Sequence, residues 1–319
     1  MRQRLLLLVL SLPLMCAPAM AAGLKLLQLP ADGEGPAISV AVWYPSAEAP
    51  QAIAFGPFTV SGARDGAVKG SGLPLIVLSH GRGGSFAGHH DTAEQLADAG
   101  FVVAALNHPG DTALDKGRTD ELSVFIERPL DVKRVIDFMT GASPLAAAID
   151  AGRIGFYGFS RGGYTGLVVI GANPDFARAL ARCEGQTARF CDEVRAGAYP
   201  KGPLTHDPRI KAAAIADPLA AILSPESVAG IKVPVQLWGS ELGGDGVEPA
   251  SVAAIDDELK APHTFTKIEH SGHFSFLTVC PAEYADKAPM ICKDPQGFDR
   301  AAFHQRLNAD LSAFFRAHL

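Results

Sequence analysis

Between residue 70 and the C-terminus, short apolar runs rich in Val, Ile and Ala alternate with longer stretches whose apolar residues recur every three or four positions. That alternation predicts a mostly parallel central sheet with helices on both faces, an α/β architecture. Strands are expected at 38–45 (ISVAVWYP), 73–81 (LPLIVLSHG), 100–110 (GFVVAALNHPG), 153–160 (RIGFYGFS), 209–218 (RIKAAAIADP), 233–240 (VPVQLWGS) and 263–269 (HTFTKIE). Their near-continuous apolarity predicts burial on both faces. Helices are expected at 89–99, at 129–140 with Pro129 in the first turn, at 161–171, at 249–259, and through FDRAAFHQRLNADLSAFFRAHL at the C-terminus. In that last segment Phe303, Leu307, Leu311, Phe314 and Phe315 form a stripe suited to facing the core. Residues 110–128 and 172–208 break the alternation; the second reads as a small cap inserted between a helix and the next strand.

With 319 residues, 48% of them hydrophobic, the chain can bury a large core, which excludes disorder as its main state. The first 22 residues read as a secretory signal: Arg2 and Arg4, then LLLLVLSLPLM, then APAMAA, with cleavage expected after Ala21 or Ala22. Residues 23–319 are then a single domain. The apolar run is shorter than the roughly 20 residues of a membrane span. Met15 stands before Cys16 where a lipidation signal needs a small residue, so Cys16 is expected to leave with the signal, a lipid-anchored N-terminus being the minor alternative. Loss of Arg2 and Arg4 takes the formal charge from −6 to −8, and no basic run remains. Nucleic acid, an anionic membrane surface and stable membrane insertion are therefore not expected; a small neutral or apolar substrate is.

The four remaining cysteines fall into two sequence-local pairs, Cys183 with Cys191 and Cys280 with Cys292, read as disulfides of a periplasmic or secreted protein. The first would staple the 172–208 cap. No C-x-x-C or His pair at ligand spacing accompanies them, and GHHD at Gly88 to Asp91 sets its side chains too close in sequence to converge on one ion. No metal or other cofactor is expected.

Gly158-Phe159-Ser160-Arg161-Gly162 matches G-x-S-x-G, a weak pattern in a chain with 33 glycines. Its setting strengthens it, because it ends an expected strand and opens an expected helix, where small neighbours permit a turn that lifts a serine hydroxyl to the sheet edge. A serine needs an imidazole to take its proton and a carboxylate to orient that imidazole. His273 in EHSGHFSFL follows the last strand and is the preferred base over His270. Two aspartates suit the order Ser, acid, His: Asp217 ends its strand in AAIADP, and Asp245 lies in the loop of WGSELGGDGVEP; Glu241 is a more distant third. The turn His80-Gly81-Arg82-Gly83-Gly84 offers the Arg82 backbone N–H, with that of Arg161, for a developing oxyanion. Phe86, Phe159, Leu219 and Phe274 are expected to surround a pocket partly covered by the cap.

VAVWYP, LSHGRGG, GFSRGG, IADP and SGHFSF, in that order, resemble the α/β-hydrolase superfamily over nearly all of residues 23–319. The closer resemblance is to bacterial proteins related to platelet-activating-factor acetylhydrolases and grouped with predicted dienelactone hydrolases. It implies Ser160 as nucleophile, His273 as base and the Arg82 and Arg161 N–H groups as oxyanion donors. Asp217 matches the acid of the acetylhydrolases, and Asp245 with Val247 and Pro249 the acid loop of many other members. Dienelactone hydrolases proper use a cysteine where this chain has Ser160. The expected activity is carboxylic-ester hydrolysis through an acyl-enzyme. Phospholipid or polyester hydrolysis and amide cleavage use the same machinery, and a non-catalytic periplasmic binding protein on this scaffold is the alternative of another class.

Overall fold

A computed structural model describes residues 21–319; the greater part of the expected signal segment, residues 1–20, lies outside them. The strands are β1 Ala21–Leu29, β2 Ile38–Ser46, β3 Gln51–Phe55, β4 Phe58–Arg64, β5 Leu73–Ser79, β6 Val102–Leu106, β7 Ile149–Phe159, β8 Ile210–Ala216, β9 Val235–Ser240 and β10 His263–Ile268. The helices are α1 His90–Asp98, α2 Leu122–Thr140, α3 Arg161–Val169, α4 Arg189–Arg195, α5 Pro225–Val228, α6 Pro249–Glu258, α7 Ala282–Ala285, α8 Pro289–Cys292 and α9 Arg300–His318. Among the described residues the strands form one sheet in the order β10-β9-β8-β7-β5-β6-β2-β1-β4-β3. From β10 to β6 every pairing is parallel, while β2 runs antiparallel to β6 and β1 to β2.

Alternation along each strand divides the core. Val77, Ala104, Ile215 and Leu237 face α2, α3 and α6, against Val135, Leu167 and Val252. Ile76, Leu78, Ala105 and Ala214 face α1 and α9, where Leu96, Phe303, Leu307, Leu311 and Phe315 pack. The period-2 strand geometry thus gives both layers their buried faces. No helix among the described residues is long and apolar enough to cross a membrane.

β1, the β3–β4 hairpin and the start of α2 differ from expectation. β1 pairs with β2 along its full length, from Ala21 opposite Ser46 to Leu29 opposite Ile38. β3 and β4 form a hairpin through Gly56 and Pro57, with Gly56 at φ 61, a left-handed value that glycine adopts freely. Alternate burial of Ile53, Phe55 and Val60 is a period-2 signal already present in the sequence. Helix α2 begins seven residues before Pro129, which sits inside it. Proline lacks the N–H that would bond the Phe125 carbonyl, and the Tyr164 hydroxyl of α3 donates to that oxygen instead (3.2 Å). Cross-helix repair of one carbonyl lets the helix run through the proline.

Cys183–Cys191 and Cys280–Cys292 are both joined. The first closes the 172–208 insertion, whose Phe176, Ala179 and Val194 pack on Leu122, Phe125, Tyr164 and Val168. The second closes the segment between β10 and α9 that contains α7 and α8.

Tyr164 is fully buried. Tyr164→Phe strands the Phe125 carbonyl and is expected to cost about 1–3 kcal/mol, read as a lower urea midpoint at unchanged m.

Candidate active site

Ser160 joins β7 to α3 at φ 60, ψ −120, a backbone strained for any residue with a Cβ. Three hydrogen bonds hold it there: its N–H donates to Ala216 O (3.0 Å), and its carbonyl accepts from Tyr164 N and Leu219 N (both 3.0 Å). The flanking glycines are steric necessities. A Cβ on Gly162 would overlap the Ser79 carbonyl at the end of β5, and one on Gly158 would overlap the Gly162 carbonyl. The turn therefore crosses β5 at backbone contact distance.

His273 opens a short 3-10 helix, His273–Phe276, with its N–H on Gly243 O (2.8 Å) and its ring stacked on Phe159 at 4.6 Å between centroids. Its Nε2 is 2.9 Å from Ser160 Oγ and its Nδ1 2.6 Å from Asp217 Oδ2. Asp217, fully buried past the end of β8, also accepts the Ser240 N–H on Oδ1 and the Ser240 hydroxyl on Oδ2, both at 2.8 Å. A carboxylate has no proton to give, so Nδ1 carries the imidazole hydrogen and Nε2 accepts from the serine. Ser240, at the end of β9, was not identified from sequence.

Asp245 stands elsewhere. It occupies the exposed tip of a turn closed by Gly244 N to Val247 O (3.1 Å) and Val247 N to Gly244 O (2.9 Å). The structure thus brings Ser160, His273 and Asp217 together and leaves Asp245 on the rim of the cavity. His270 is exposed and faces Glu241 (3.7 Å).

The other side of Ser160 is formed by the 80–84 turn; a Cβ on Gly81 would lie 3.1 Å from Ser160 Cβ. His80 Nδ1–H donates to Gly81 O (2.7 Å), and Nε2 accepts the His108 N–H (3.2 Å). Burial, aided by Arg128, pushes the His80 imidazole down to about 3, so it is a neutral brace for this turn. Asp111 ties the turn to both helices: Oδ1 accepts Gly83 N–H (2.9 Å), and Oδ2 accepts Arg128 Nη1 (2.8 Å) and Arg161 Nη1 (2.9 Å). Burial alone would raise this carboxyl, but Arg128 and Arg161 overcome it and hold it below the usual range. Arg128 Nη2 also donates to His80 O and to Ser79 Oγ. Arg82 reaches outward to Asp120 (2.7 Å). The Arg161 N–H is the first of α3, among the donors a helix leaves without an internal acceptor. Asp111 and Arg128 escaped sequence reading, although an arginine within the apolar face of SVFIERPLDV was a visible signal.

A cavity of about 200 Å³ opens beside Ser160, walled by Phe58, Phe159, Phe274, Leu277, Tyr284 and Ile291. Its cover comes from the β3–β4 hairpin and the Cys280–Cys292 segment. The 172–208 insertion instead walls a neighbouring cavity of about 280 Å³, to which Leu219 belongs. Phe86 stacks on Phe55 at 5.3 Å beside the cavity. The GHHD side chains diverge: His89 packs between Tyr157 and Phe159, His90 meets Glu94, and Asp91 meets His304.

Residues 76–186 match the model of the prolyl oligopeptidase family, Peptidase_S9. A solved structure of a ferulic acid esterase from Streptomyces cinnamoneus aligns with a TM-score of 0.64 and 20% identity, over 97% of this chain and 92% of that one. No curated protein matches the sequence. Sheet order, parallel pairing and the strand–serine–helix turn define an α/β-hydrolase fold, and this chain has it.

Asp111→Asn leaves two buried guanidinium groups without their carboxylate. It is expected to destabilise the protein by about 3 kcal/mol or more in chemical unfolding.

Proposed function

We propose that the protein is an exported, metal-independent serine hydrolase of carboxylic esters, with Ser160 as nucleophile, His273 as general base and acid, and Asp217 as the orienting carboxylate. The observation that carries the reading is the buried relay Ser160 Oγ, His273 Nε2, His273 Nδ1, Asp217 Oδ2, at 2.9 and 2.6 Å. Ser160 Oγ attacks the ester carbonyl carbon while its proton passes to His273 Nε2. Asp217, fixed by both donors of Ser240, stabilises the imidazolium. Charge on the former carbonyl oxygen is taken by the backbone N–H groups of Arg82 and Arg161. Collapse breaks the ester C–O bond, and the alcohol leaves with the proton from His273. Water then repeats the sequence and frees the acid.

The apolar cavity beside Ser160 favours a short acyl or aromatic ester over a charged one at that position. The esterase among the fold neighbours supports the same class, as does the resemblance to acetylhydrolases and predicted dienelactone hydrolases. The match to a prolyl oligopeptidase model is the reason to measure amides beside esters. Both disulfides fit an oxidising compartment, and cleavage after Ala21 or Ala22 leaves Gly23–Leu29 to pair with β2.

A fluorophosphonate probe is expected to add to Ser160 in the folded protein, located by peptide mass; an unlabelled serine in a pocket that admits the probe would refute the reading. On p-nitrophenyl butyrate, Asp217→Ala should lower kcat/KM on the order of a thousandfold or more, and Asp245→Ala less than about threefold. Equal small losses would remove both aspartates from the acid role. The intact mass of periplasmic protein should lack the first 21 or 22 residues.

A further inference from the structure

The cavity beneath the 172–208 insertion is separate from the one described above and adjoins the Ser160 turn through Arg161 and Leu219. It is walled by Phe125, Phe190, Leu219 and Ile222, by the Cys183–Cys191 bond, and by Arg161, the residue after the nucleophile. Leu219 donates its N–H to the Ser160 carbonyl, so the two cavities flank one turn. At about 280 Å³ it exceeds the roughly 150 Å³ that admits benzene.

Its charges do not balance. Asp120 on the wall is paired with Arg82 (2.7 Å), and Arg182 with Glu248 (2.6 Å). Arg161 is different: it is 5% exposed, and its carboxylate partner, Asp111, is shared with Arg128. Two buried guanidinium groups therefore share one hydrogen-bonded carboxylate, and the further carboxylates that act on them, Asp131 on Arg128 and Asp120 on Arg161, do so only through space. Arg161 Nη1 is occupied by Asp111 and Thr119 O, while its Nε is buried with no acceptor. The guanidinium lies 4.7 Å over the Phe125 ring, which fixes its plane against an apolar wall. A buried cation with spare donors in an apolar cavity is suited to a carboxylate carried on an apolar body.

We propose that this cavity is a second subsite that takes the apolar, carboxylate-bearing half of the substrate ester, with Arg161 as the carboxylate's partner. The proposal rests on the ester-hydrolase reading and narrows its substrate class. The scissile carbonyl sits at Ser160, the uncharged half enters the 200 Å³ cavity, and the anionic half lies under the insertion. Arg161 then has two separate tasks, its backbone N–H at the oxyanion and its side chain at the carboxylate. Discrimination follows from the neutral analogue leaving the guanidinium unmatched.

The test is calorimetric titration of Ser160→Ala protein with 3-phenylpropanoate and with 3-phenylpropanamide, at low and high salt. The carboxylate is expected to bind roughly tenfold more tightly or better, with little loss at high salt because Arg161 is buried. The preference should disappear in Ser160→Ala/Arg161→Gln. Ser160→Ala/Phe190→Ala should weaken both ligands by similar factors. Equal affinity for the two ligands, or a preference that survives Arg161→Gln, overturns the proposal. Should Arg161→Gln not fold, the Arg161 Nε–H resonance of Ser160→Ala protein decides: it should move with the carboxylate and not with the amide, and no movement overturns the proposal. Titration needs no turnover, so absent esterase activity in the native protein would refute the proposed reaction while the binding result stands by itself.

Discussion

The backbone of α3 meets the end of β5 where Gly162 has no side chain, and the site depends on that approach. With a Cβ there, the helix would be pushed off the Ser79 carbonyl. The Ser160 turn, strained at φ 60, would then lose the neighbours that hold it. Because the crossing is tight, the same few ångströms contain the serine, the 80–84 turn and the first N–H of α3. Parallel pairing of β7 with both β5 and β8 delivers these groups to one edge of the sheet. Asp217 follows β8, Ser240 ends β9 and His273 follows β10 at that same edge, the usual place for a site in an open parallel sheet.

Behind the turn lies a second constraint, electrostatic in origin. Arg128 and Arg161 are almost completely buried, and neither would be tolerated there without Asp111. Asp111 in turn fixes Gly83, so the geometry of the 80–84 turn rests on a charge cluster rather than on apolar packing. His80 adds a neutral brace through both ring nitrogens. The cluster ties three segments together, since Arg128 holds His80 O and Arg161 holds Thr119 O while both share Asp111. The shared carboxylate also leaves positive charge facing the cavity under the insertion.

The two disulfide-closed segments divide the work of covering the site. Residues 172–208 were expected to form its cover, yet they pack on α2 and α3 and wall the second cavity. Tyr284 and Ile291, from the Cys280–Cys292 segment, reach the cavity beside Ser160 together with Phe58 of β4. Nothing in the composition of either segment distinguishes these destinations. Which loop arches over which strand end follows from where the strands lie in the sheet.

The sequence by itself determined the alternation of strands and helices, the apolar stripe of α9, the Ser160 turn and the two cysteine pairs. Each is a local matter: backbone strain demands glycine next door, helical packing repeats every three or four residues, and cysteines 8 and 12 residues apart need only a short loop. Asp217 and Asp245 looked alike because both follow strands in the required order. Separating them needed the meeting of residues 56 and 113 positions apart, set by the adjacency of β7, β8 and β9 and by the course of the chain after β10. Asp111, Arg128 and Ser240 were hidden for the same reason. Their partners are chosen by tertiary contact, and no local pattern records a contact made across the sheet.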